Sequence, residues 1–136
     1  MPDKPSLGTW LKGGVFALAG LGVIAGASAG AVSTRGFLHT AARVPGVVTR
    51  LNAGGFHPEI QFTTALGQVV SYPQGGMIKS YHAGERVSVF YNPSLPSRDP
   101  RLDTFGSLWL DWIMLGLMGI IFVGIGAFLM LGKEEQ

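Results

Sequence analysis

The chain has 136 residues, of which 47% are hydrophobic and only 13% charged, about half the charged share of an ordinary soluble domain. Its formal net charge of +2 comes from Lys and Arg residues scattered singly, with no basic stripe, which argues against nucleic acid as a partner. There is no cysteine, so disulfides, thiolate catalysis and cysteine-ligated metal are excluded.

Residues 1–12 form a short polar head. Residues 13–33 then carry no charge, and at about 1.5 Å per residue such a run spans the roughly 30 Å hydrocarbon core, so a first transmembrane helix is expected there. Trp10 and Lys12 stand where an interface would lie. Gly22, Gly26 and Gly30 recur every fourth residue, with Ala25 and Ala29 beside them. Small residues at that spacing let another helix approach closely, either the second helix of the same chain or a second copy. The same segment has a lysine-containing start and the triplet Ala27, Ser28, Ala29, which a signal peptidase could accept. The apolar run continues to Ser33, which favours a retained anchor.

Residues 34–107 connect the two apolar segments and read as β-structure. Val44 to Leu51 is rich in β-branched residues and ends in "NAGG"; Phe56 to Thr64 alternates Phe56, Pro58, Ile60 and Phe62 on one face; "QVVSY" forms a third strand. A short fourth strand is expected around Met77 to Tyr81, and Val87 to Tyr91 forms the last. Glycine pairs at Gly54 with Gly55 and at Gly75 with Gly76 mark turns. Four or five short strands between residues 42 and 93 predict a small curled sheet or barrel, near the lower size limit for a domain without disulfides or metal. Pro93 to Pro100 reads as a proline-rich linker.

A second helix is expected over residues 108–131, with Trp109, Asp111 and Trp112 at its start and Gly116, Gly119, Gly124 and Gly126 available for packing; 132–136 is a polar tail closed by Lys133, Glu134 and Glu135. Two crossings put both termini on one side. Lys4, Lys12 and Lys133 lie on that side and Arg35, Arg43, Arg50, Arg98 and Arg101 on the other. The loop is too long for the positive-inside rule to decide, so its side stays open, with a lean toward the extracytoplasmic face from the signal-like first helix. The loop arginines read as solvating a surface, or as meeting anionic headgroups.

Neither helix interior carries an ionisable residue, which argues against transport. His39, His57 and His82 are separated by 18 and 25 residues, too far apart for a metal-ligating motif. His57 with Glu59 and His82 with Glu85 are better read as surface groups than as catalytic pairs. There is no "GxSxG" and no phosphate loop, so neither an enzyme nor a cofactor is expected.

"HPEIQFTTALGQVVSY" and "YHAGERVSVFYNPSLP" resemble a family of bacterial membrane proteins known as a domain of unknown function, DUF 3592. Pro58, Ile60 and Phe62 match its first strand motif, and Gly84, Glu85, Val87, Val89, Tyr91 and Pro93 the second. The resemblance implies a helix, a small β-domain and a second helix, and it implies no reaction. Gly84 would turn the chain with positive φ, Val87, Val89 and Tyr91 would fill one face, and Pro93 would end pairing.

The expected class is membrane α+β, two transmembrane helices flanking a small antiparallel β-barrel-like domain, in the bacterial inner membrane. The expected role is a non-catalytic accessory subunit that binds lipid and another membrane protein, or a second copy. The alternatives are an immunity-type protein acting against a membrane-active toxin and, last, a membrane-bound hydrolase using His57 or His82.

Overall fold

The computed structural model describes residues 3–52, 54, 56–75 and 81–132. It divides into two compact units, residues 1–31 with 112–136 and residues 32–111.

The helical unit is built on residues 7–31 of α1 (Leu7–Thr40), whose last turns belong to the second unit, and on α2 (Asp111–Leu131). The Ser6 hydroxyl accepts the Thr9 N–H at 3.2 Å and caps the start of α1. Helix α1 has 34 residues and exceeds the expected 13–33 at both ends. Hydrophobicity marks the part suited to lipid, whereas backbone hydrogen bonding continues through polar residues until the helix ends at Thr40, with the Phe37 carbonyl accepting the Ala41 N–H. Both helices are long and apolar enough to cross a membrane, and little of either apolar stretch is buried, so most of their side chains face outward rather than into a protein core.

The two helices run antiparallel, with Gly13 near Met130, Gly20 near Val123 and Gly30 against the Trp112 ring. The contact residues on α1 are Gly13, Ala17, Gly20, Ile24, Ala27 and Gly30, and on α2 Trp112, Gly116, Gly119, Val123, Gly126 and Met130. These steps of three and four residues average the period that keeps one stripe facing a partner. The approach is close enough to require glycine: a Cβ on Gly20 would lie 2.6 Å from the Gly119 carbonyl, and one on Gly126 2.5 Å from that of Gly13. The expected row of Gly22, Gly26 and Gly30 therefore divides. Gly30 and Gly119 sit in the seam and Gly116 lies beside Ala27, but Gly22 and Gly26 have no neighbour within 4 Å. Steps of four alone rotate by about 40° each, which carries the row off the contact face.

The second unit holds an antiparallel five-stranded sheet, β1 (Ala42–Arg50), β2 (Glu59–Thr63), β3 (Val69–Pro73), β4 (Arg86–Tyr91) and β5 (Arg101–Leu102), in the order β3-β2-β1-β4-β5. Alternation sends Val48, Ile60, Phe62, Val70, Tyr72, Val89, Tyr91 and Leu102 to a single buried core. Val48, Ile60, Val89 and Leu102 are wholly enclosed, each contributing about 1.5–3 kcal/mol. The Phe62 ring lies 5.3 Å from that of Tyr91 and meets Tyr72 edge-on. The sheet curls enough for the Tyr91 hydroxyl to accept the Ala65 N–H at 3.1 Å.

No closed barrel forms: β3 and β5 are edges that no ladder joins among the described residues. Strand β5 falls just past the segment expected as a linker, and Leu102 pairs there with Val89. A two-residue strand behind three prolines has no alternation to betray it. Phe56 is left out of β2, because His57 adopts φ +53° and breaks the extended run before Glu59. Gly55, Gly76, most of the strand expected at Met77 to Tyr81, and the tail residues Lys133, Glu134 and Glu135 lie outside the described residues.

Candidate binding surface

Pro45 lies in the central strand, where a proline is normally excluded. Val48 gives its N–H to Glu85, toward β4, so by alternation the N of Pro45 faces β2. Pairing of β1 with β2 begins at Gly46, one residue later, and the missing donor is therefore never needed. Gly46 points inward, where a Cβ would come within 2.9 Å of Val89.

The outer face of the sheet consists of the residues between those that enter the core. Across it, Arg86, Val47, Gln61 and Ser71 form one row of cross-strand partners, and Ser88 stands beside Pro45 in the next. Pro45, Thr63, Val69, Ser71 and Arg86 are exposed. An open depression of about 550 Å³ lies among Pro45, Val47, Gln61, Thr63 and Arg86. Arg43, on the same face, is paired with Asp103 at 2.8 Å. The Glu59 carboxylate accepts from Ser71 (2.9 Å) and Asn52 (3.3 Å).

Behind this face, Gln74 spans the two sheet edges. Only 5% exposed, it follows β3, and its Oε1 accepts both the Tyr72 hydroxyl and the Leu102 N–H at 2.9 Å. Its backbone carbonyl lies 3.2 Å from His57 Nδ1, and its N–H donates to Pro58. Burial pushes the Tyr72 hydroxyl well above the usual tyrosine range, with a smaller contribution from Tyr81. Tyr81 is raised chiefly by burial and secondarily by Glu85, against a hydrogen bond with Thr104. On β5, Arg101 donates to the buried Thr34 hydroxyl at 2.9 Å and stacks over Phe37 at 5.0 Å.

The sequence-selected residues fall into these roles. Pro58, Ile60, Phe62, Val89 and Tyr91 are buried and Val87 packs beside them. Gly84 turns the chain at φ +89°, and Pro93 follows β4. The histidines are not drawn together. His82 is 3.8 Å from Glu85 and largely exposed, and that carboxylate also accepts the His82 N–H, closing the turn into β4. Among the described residues no cluster of His, Asp and Glu could hold a metal. Gln74, Arg86 and the Arg43–Asp103 pair escaped sequence reasoning. A glutamine closing an alternating strand was the one available signal for an edge contact.

No family model matches the chain, and no solved structure matches it. The immune protein Tsi4 of Pseudomonas aeruginosa is 39% identical over 130 residues, 96% of this chain and 90% of that protein. Identity of that extent covers nearly the whole length, helices and sheet together, and the chain belongs to the family of the immune protein Tsi4.

Proposed function

We propose that this chain is an immunity protein that binds a toxic protein and so protects the cell that makes both. The identity with an immune protein over 96% of the chain carries the reading. It displaces the accessory-subunit role favoured by sequence alone and takes up the immunity alternative. The outward apolar surfaces of α1 and α2 support an anchor in the bacterial inner membrane, with the sheet carried on the loop between the crossings. The lean of that loop toward the extracytoplasmic side remains part of the proposal. The hydrolase reading loses its motive, since His82 and Glu85 make a turn contact and His57 lies against a backbone carbonyl.

The test is protection. A susceptible host producing a cognate toxin is expected to survive when the full chain is co-produced, and the two proteins are expected to co-purify from its membranes. Death of the host despite stable accumulation of the chain would overturn the reading.

A further inference from the structure

The outer face of the sheet combines an apolar floor with a charged rim. It is apolar at Pro45 and Val47 of the central strand, which both line the depression. It is also positively charged at one rim. Arg86 stands opposite Val47, is exposed, and has no acidic partner among the described residues. Of the acids nearby, Asp103 is ion-paired with Arg43, while Glu85 accepts the His82 N–H and Glu59 accepts from Ser71 and Asn52; Glu85 and Glu59 keep their charge, and none of the three bridges to Arg86. Gln61 and Thr63 form the opposite wall and can donate or accept. A ligand matched to this floor and rim is an extended protein segment that places an apolar side chain over Pro45 and Val47 and a carboxylate beside Arg86.

We infer that the outer face around Val47 and Arg86 is the toxin-docking surface, and that it takes an acidic segment of the toxin. The proposal rests on the immunity reading and adds the surface and the charge of the partner. The face belongs to a rigid element, since its strands are fixed by the buried side chains directly behind them. It therefore presents its groups preorganised, which lowers the ordering cost of binding.

The full chain in nanodiscs and the purified toxin from the protection assay provide the test. The chain is free of cysteine, so Val47→Cys and Leu66→Cys each give a single attachment point for a photoreactive maleimide. Leu66, 95% exposed on the β2–β3 turn, serves as the control. Crosslinking to toxin is expected from position 47 and not from 66. Arg86→Glu is expected to weaken binding by about tenfold or more, while Arg98→Glu, on the exposed linker, leaves it unchanged. Wild-type binding is expected to weaken as salt rises. Both charge variants lie at exposed positions, and unchanged near-ultraviolet circular dichroism will establish that they fold. Retained affinity in Arg86→Glu together with crosslinking from 66 alone would overturn the docking surface and leave immunity standing. A wild-type chain that neither protects nor binds would overturn both.

Discussion

Replacing Gln74 tests whether a single side chain holds the sheet edges together. Gln74→Met keeps length and approximate shape but removes the acceptor shared by the Tyr72 hydroxyl and the Leu102 N–H, each bonded at 2.9 Å. Leaving a buried donor without a partner costs about 1–3 kcal/mol, and two donors are affected, so a loss of about 3–4 kcal/mol is expected after partial relaxation. That is a large share of the stability of a small domain. Tyr72→Phe removes one donor and leaves Oε1 bonded to Leu102, so it should cost only about 1 kcal/mol. In the Tyr72→Phe background, Gln74→Met should cost about 1 kcal/mol less than in the wild type, because one orphan has already been removed. Denaturant unfolding of the detergent-solubilised full chain, followed by near-ultraviolet circular dichroism, gives the free energies. Amide exchange at Leu102 reports whether β5 opens locally. A loss under about 0.5 kcal/mol for Gln74→Met, with unchanged exchange at Leu102, would refute the clamp.

Other expectations follow from the same contacts. Leu102→Ala, at a wholly enclosed position, should cost about 2–4 kcal/mol in the same unfolding measurement. Gly20→Val, which would drive side-chain atoms into the Gly119 carbonyl and Val123, should lower the thermal midpoint of the helical unit in detergent, whereas Gly22→Val, with open space around it, should leave it unchanged. Stability should be full below about pH 10 and fall as pH rises beyond it, because the folded state holds the Tyr72 and Tyr81 protons more tightly than the unfolded chain; denaturation midpoints at rising pH will test this, and Tyr72→Phe should flatten part of the slope. His57→Asn with His82→Ala should protect the host as well as wild type does, since asparagine tolerates the positive φ at 57 and neither ring is assigned to toxin contact. Loss of protection with intact fold would revive the hydrolase reading.

The legible parts of the fold were those governed by local pattern. Ile60 and Phe62, or Val87, Val89 and Tyr91, announce a buried face by alternation alone, and two uncharged runs announce two long helices. The helix seam was legible only in part, because Gly22, Gly26 and Gly30 form the most regular row while Gly13, Gly20 and Ala27 form the stripe that stays on one face. Arg101–Leu102 was not legible, and Gln74 showed only as a polar residue closing an alternating strand. Their roles depend on partners 13 and 28 residues away, as between Val89 and Leu102 or Gln74 and Leu102, and nothing in the local composition encodes those distances. Arg86 was equally silent, since its significance lies in which neighbouring acids are already engaged.

The placement of Gln74 also bears on how so small a sheet would carry the proposed docking face. A sheet with one face in its core offers the other to a partner only if the strands do not splay when that partner pulls on them. Closing the barrel would prevent splaying, but β5 is only two residues long and cannot complete a ladder with β3. A buried amide that accepts from Tyr72 beside one edge and from Leu102 at the other supplies the tie instead, through two hydrogen bonds whose loss would strand buried donors. Arg101, stacked on Phe37 and bonded to Thr34, fixes the same short strand to the end of α1. On this reasoning Gln74→Met should weaken toxin binding as well as stability, although Gln74 is buried and lies outside the row of residues that line the depression. Unchanged affinity in a folded Gln74→Met chain would mean that the outer face keeps its shape without the tie.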